Sequence, residues 1–307
     1  MQAARALLLL LALLSGPPGC MKPAAGDGEE SGTQITVGGG TIDVALDPGV
    51  ALPRAAVMRW VRRAAEAVAG YYGRFPVERV LVSVAPGGDE PVNGGVTYAA
   101  REIDVRISRD AKAADLDSDW VLTHEMFHLA FPNLDEKYLW MMEGLADYLE
   151  PIARARAGQW RPEDVWRDFA EGSPRGEPRR GDRGLDHAAS RDRVYWGGNT
   201  YWLLADLRVR ERTGNEKSVD DAVRAILDAG GDGNSHWELA QVLATGDRAT
   251  GTDVLTELHK EFGMKPGRVD LGALWKRLGV AYSAGAVTFD DAAPLAKIRA
   301  AITAPAR

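Results

Sequence analysis

The chain has 307 residues, a net charge of −7, 45% hydrophobic and 26% charged residues, one Cys and five His. That is a globular balance with length for about two domains. The acidic excess speaks against a nucleic-acid surface, which needs clustered Lys and Arg. A single cysteine excludes an intrachain disulfide and a Cys-built zinc cluster, so any metal site has to be made of His and carboxylates.

Arg5 precedes an unbroken apolar run over 6–14, and Ser15, Gly16, Pro17, Pro18 and Gly19 lead to Cys20. A short basic region, a short apolar region and small residues at a cleavage point make 1–19 a secretory signal peptide. The run falls short of the ~20 apolar residues of a spanning helix. The segment resembles a bacterial lipobox: Gly19 fits the position before the cysteine, while Pro17 stands where Leu is usual. The resemblance implies cleavage before Cys20, lipidation of its thiol and an exported protein anchored to a membrane only by that lipid; the alternative is plain secretion. Residues 20–40 are rich in Gly, Pro, Ala, Ser and acid and read as a flexible tether.

Residues 33–37 and 41–46 are β-like runs around Gly38, Gly39 and Gly40, a hairpin pattern. Helical periodicity runs over 53–72 and is stopped by Gly73 and Pro76. Val-rich alternation gives a strand at 79–84, and 95–99 and 102–108 read as two more. Asp117, Ser118 and Asp119 are cap residues for a helix over 117–130, ended by Pro132. A second helix covers 135–157, with Leu139, Met142, Ala146 and Leu149 as its apolar stripe. Residues 172–193, crowded with Arg, Gly, Pro and Asp, read as a long mobile loop, placed to act as a lid or simply solvated. Helices follow over 199–212, 219–229, 237–243, 252–262, 271–278 and 292–302. The order predicts an α+β fold: a strand-rich N-terminal part with a mixed sheet, a helix pair, and a mostly helical C-terminal part. The division is 41–194 for a catalytic part and 195–307 for a helical part that completes the site.

Within the first helix of the pair stands His124-Glu125-Met126-Phe127-His128. Positions i and i+4 share one helical face, so both imidazoles reach one ion, and Glu125 flanks a metal-bound water as general base. The plain alternative is two surface His on an amphipathic helix. A third ligand has to come from a nearby element. Trp140-Met141-Met142-Glu143-Gly144-Leu145-Ala146-Asp147-Tyr148 follows on the next helix, past a turn at Phe131-Pro132-Asn133. Two antiparallel helices so joined bring Glu143 opposite the His pair. Asp147, one turn on, accepts the second N–H of a ligand His. The alternative for both carboxylates is a charged, solvent-facing helix side.

An HExxH followed by this Glu-Gly-Leu-Ala-Asp segment resembles the gluzincin zinc metallopeptidases (peptidase MA superfamily, thermolysin-like). The resemblance implies one Zn2+ per chain on His124, His128 and Glu143, with Asp147 behind the ligands. The block from Tyr195 to Leu207 is similar to the glycyl aminopeptidase-like family, which implies that Tyr195 donates its hydroxyl to the oxyanion; an aromatic core role is the alternative, and His187 is a competing donor. Gluzincins bind substrate backbone along an edge strand, which implies a substrate-binding role for Gly94, Gly95 and Val96; a turn ahead of a strand is the alternative. No Glu stands between Gly94 and Ala100 to grip a free amine, so an aminopeptidase reading gains no support. His236 and His259 lack ligand spacing. The expected function is hydrolysis of a peptide or protein substrate, against a non-catalytic lipoprotein that keeps a peptidase fold as a binding module, or a zinc hydrolase of a non-peptide amide or ester.

Overall fold

The computed structural model describes residues 33–305. The signal peptide read at 1–19, Cys20 and the first part of the tether lie outside the described residues. β1 (Thr33–Val37) and β2 (Gly40–Leu46) pair antiparallel across Gly38 and Gly39, whose φ values of 55° and 84° suit glycine. The tether expected to reach residue 40 therefore stops before Thr33: Ile35 and Ile42 are buried, which no linker could arrange.

α1 (Arg54–Tyr72) carries the chain back so that β3 (Arg79–Pro86) pairs parallel with β2, the crossover that parallel neighbours need. β4 (Val92–Tyr98) and β5 (Glu102–Ile107) join through Ala99 and Ala100, both at positive φ. β5 inserts between β3 and β4, giving the order β1-β2-β3-β5-β4. The sheet is mixed, antiparallel in its outer pairs and parallel in its inner ones. Strand alternation sorts its faces. Val80, Val82, Val84, Ile103, Val105 and Ile107 point into the core shared with Val57, Val61 and Val68 of α1. On the other face Asp43 pairs with Arg79 at 2.6 Å.

The rest is helical apart from one hairpin. α2 (Val121–His128) is shorter than the 117–130 expected. Asp117 belongs to a separate 3-10 turn, and the carboxylate that caps α2 is Asp119, which accepts from Val121 N (3.0 Å) and Leu122 N (3.2 Å). α3 (Leu139–Arg156) follows a 3-10 turn at Glu136–Tyr138. α4 (Pro162–Gly172) was not foreseen, although Pro162 in its first turn and the Asp164 side chain accepting from Arg161 N (3.1 Å) are ordinary start signals. α5 (Arg191–Arg212), α6 (Val219–Asp228), α7 (Leu239–Thr250), α8 (Val254–Leu258) and α9 (Leu271–Leu278) come next. A hairpin of β6 (Val280–Ser283) and β7 (Ala286–Phe289), also unforeseen, precedes α10 (Ala296–Thr303).

Two sequence expectations are corrected here. The division between 194 and 195 cuts through α5, a continuous helix with buried residues from Arg193 to Arg210. The mobile loop at 172–193 is tied down. It holds two 3-10 turns, and buried Arg193 donates to the Gly176 carbonyl (2.7 Å) and pairs with Asp182 (2.9 Å). Asp186 accepts from Trp140 Nε1 (3.1 Å) and lies 2.9 Å from His259 Nε2. Charges that read as solvated along the sequence close on one another in space.

Buried carboxylates stitch the helices. Asp220 at the start of α6 accepts from Tyr71 of α1 (2.6 Å) and pairs with Arg156 of α3 (2.7 Å). Asp206 of α5 accepts from Tyr148 (2.8 Å), Arg210 (3.0 Å) and Val219 N (2.9 Å). Burial pushes the Asp220 carboxyl up, but the Arg156 charge and its hydrogen bonds outweigh that and hold it below the usual range. Its stabilisation is thus present above the unfolded-state pKa and lost as pH falls through the lower folded value. Asp220→Ala strands Arg156 and is expected to cost about 3–5 kcal/mol in urea unfolding at neutral pH. The gap from wild type should narrow below about pH 4, and a pH-independent gap would contradict the ion-pair account.

Candidate metal centre

α2 is anchored through Leu122 and Met126, both fully buried, which turns His124 and His128 together toward α3. Their Nε2 atoms lie 3.3 Å apart. Glu143 Oε2, from the second turn of α3, is 3.2 Å from His124 Nε2 and 3.6 Å from His128 Nε2. These three residues form the group able to hold a metal ion among the described residues. The triangle can be tested against the ion. Arms of about 2.0–2.1 Å at tetrahedral angles subtend edges of about 3.3–3.4 Å, which the three separations bracket. Two imidazoles and a carboxylate also make a borderline-soft donor set suited to zinc.

Asp147 Oδ1 stands 3.1 Å from His124 Nδ1, a bent rather than linear approach. A ring proton on Nδ1 would face this carboxylate and leave Nε2 facing the site. Burial pulls the His124 pKa down, but Asp147 and Glu143 overcome it and the net shift is well upward. Burial likewise pushes Glu143 up, and the two His hold it well below the ordinary range.

Glu125 is 3% exposed and sits against β4. A Cβ on Gly95 would stand 2.2 Å from Glu125 Cγ. The close approach that glycine permits at Gly95 is therefore to the Glu125 side chain. Thr97, two residues along the same strand, places Oγ1 2.8 Å from Glu125 Oε2. Burial raises the Glu125 pKa, partly offset by His128 and His124. Gly94 is the bulged residue between Asn93 and Gly95, and β4 is the last strand of the sheet, so its outer edge is unpaired among the described residues.

Tyr195, in the first turns of α5, stacks on His124 with rings 6.1 Å apart and 16° from parallel. Burial together with the Glu143 and Asp147 charges drives the phenol pKa up. It stays an O–H donor. His187 is exposed on its 3-10 turn, and His236 pairs loosely with Asp135 at 3.5 Å. Neither joins the centre.

Gly144 and Gly198 bring α3 and α5 together. A Cβ on Gly144 would lie 2.3 Å from Gly198 Cα, and one on Gly198 would lie 2.1 Å from the Trp140 carbonyl oxygen. Pro151, inside α3, cannot donate to the Asp147 carbonyl, and Asn199 Nδ2 of α5 does so at 3.1 Å. Sequence reading missed Thr97 and Asn199. The signal for Asn199 was present, because a proline in a helical pattern leaves the carbonyl four residues back in need of a donor.

No protein-family model and no curated protein matches the chain. Solved structures do. An aminopeptidase N family protein from Idiomarina loihiensis superposes with a TM-score of 0.64 at 14% identity, over 81% of this chain and 49% of that one. A two-domain M1 zinc metallopeptidase variant bound to L-arginine superposes with a TM-score of 0.51 at 15% identity, over 75% and 50%. The chain spans about half the length of these structures, and at this identity what is shared is the fold. The first is named for the aminopeptidase N family and the second for the M1 zinc metallopeptidases.

The glycine crossing is testable. Gly144→Ala is expected to cost about 1–3 kcal/mol through overpacking and to weaken metal retention by moving Glu143. Gly70→Ala, on an α1 face with open space, should gain about 0.5–1 kcal/mol. Equal effects of the two in thermal unfolding would count against backbone contact as the cause.

Proposed function

We propose that the chain is a zinc-dependent peptide hydrolase of the gluzincin type. The observation that carries this is the His124, His128 and Glu143 triangle with Glu125 and Tyr195 beside it. Zinc, when bound there, lowers the pKa of water toward ~7 and polarises the substrate carbonyl. The chain's own residues do the rest. Glu125 takes the proton from the attacking water as the C–O bond forms, then delivers it to the leaving nitrogen as the C–N bond breaks. Tyr195 donates its O–H to the carbonyl oxygen as negative charge develops. Asp147 keeps the His124 proton on Nδ1 throughout. The free edge of β4 offers backbone donors and acceptors to an extended peptide, with Gly94, Gly95 and Val96 along it.

The names of the aminopeptidase N family protein and the M1 zinc metallopeptidase that share this fold support the hydrolase reading. A peptide or protein substrate suits this edge strand better than a small amide would. The N-terminal segment supports export, with cleavage before Cys20 and a lipid on its thiol.

Purified protein should contain about one zinc per chain and cleave members of an unbiased peptide library. Glu125→Ala should keep the zinc and lose activity about 10²–10⁴-fold. Full activity in that variant, or metal-free protein with an intact fold, would remove the proposal. Separately, Cys20→Ser should move the protein from the membrane fraction to the soluble exported fraction, and unchanged partitioning would sink the anchor.

A further inference from the structure

α2 ends at His128, so the carbonyls of its last turn lack the usual i+4 donors. Leu129 N, which would serve Glu125 O, turns to the Met126 carbonyl instead (3.3 Å). Thr97 Oγ1 stands 2.9 Å from that orphaned Glu125 carbonyl and 2.8 Å from the carboxylate Oε2 of the same residue. One hydroxyl from β4 thus reaches both polar ends of Glu125. Gly95, two residues earlier on the same face of β4, closes the other side of the carboxylate. A Cβ there would fall 2.2 Å from Cγ and 2.8 Å from Oε1.

We infer that Thr97 is a positioning residue for Glu125: its hydroxyl, with the bare backbone of Gly95, holds the carboxylate in one rotamer beside the His124, His128 and Glu143 triangle. This rests on the hydrolase reading for its catalytic meaning. The hydroxyl has two acceptors and one proton. While the carboxylate is charged, Thr97 donates to Oε2. A buried carboxylate without this contact would have several staggered rotamers to choose from. The strand has two jobs on two surfaces. Its outer edge is free for substrate backbone, and its inner face holds the base. A change at the Thr97 side chain should therefore spare substrate binding.

The experiment compares wild type, Thr97→Ser and Thr97→Val as zinc-loaded full chains. Val keeps the β-branched shape and removes only the hydroxyl. Expected for Val is a fall in kcat of about 10–100-fold with KM within about twofold. Zinc content should stay at about one per chain and the melting temperature should fall only by what the loss of one hydrogen bond allows, with the fold intact. Ser should restore kcat to within about threefold. Crystal structures supply a readout that needs no activity. Glu125 should occupy one rotamer in wild type and in the Ser variant, and be displaced or split in the Val variant. A single native rotamer in Thr97→Val, unchanged kcat there, or a loss that Ser does not rescue would overturn the inference. Wild type that fails to hydrolyse any peptide would overturn the hydrolase reading instead, and the rotamer comparison would still decide the role of Thr97.

Discussion

The meeting of α3 and α5 backbones at Gly144 and Gly198 is the constraint on which the centre depends. Glu143 sits one residue before the first glycine, and Tyr195 sits three before the second. With Cβ atoms in the crossing, neither helix could approach closely enough for the Tyr195 ring to lie over His124. Hydrophobic burial supplies most of the attraction. The glycines decide how near that attraction can draw the helices.

Once the helices are that close, other unusual residues fall into place. Pro151 would weaken an isolated helix by removing a hydrogen bond. Here the released Asp147 carbonyl meets Asn199 from the neighbouring helix, and Trp202 Nε1 donates to the Met141 carbonyl at 2.9 Å. α3 is therefore secured to α5 by its own backbone groups over about two turns. Asp147 gains most, because its carbonyl is held from one side while its carboxylate serves His124 on the other.

The grouping of His124, His128 and Glu143 was legible in the sequence because helical spacing encodes it: i to i+4 for the His pair, and a short turn before Glu143. The alternation of β2, β3 and β5 was legible for the same reason. What escaped depends on partners far along the chain. Thr97 meets Glu125 across 28 positions and Asn199 meets Asp147 across 52. Nothing local distinguishes them from any other Thr or Asn. The segment 172–193 misled because composition reports how polar a stretch is, not whether its charges find each other. Arg193, Asp182 and Asp186 do. The β6–β7 hairpin was hidden by its weak, half-exposed strands.

Arg156, at the end of α3, has a consequence for the order in which the molecule is made. Its guanidinium reaches Asp220, 64 positions ahead, and the Ile302 carbonyl, 146 positions ahead. Chains emerge from the ribosome at about 5–20 residues per second, so α3 exists for on the order of ten seconds before its last partner appears. For the first part of that interval, until α5 (Arg191–Arg212) is made, Trp140 and Met141, buried in the finished protein, have no α5 to cover them. The three residues of the centre lie close together in sequence, but the far end of the helix that carries Glu143 gains its last partner only with α10. A nascent chain cut short before α10 would carry a complete ligand motif on an unfinished support, exposing the surface that chaperones and proteases recognise.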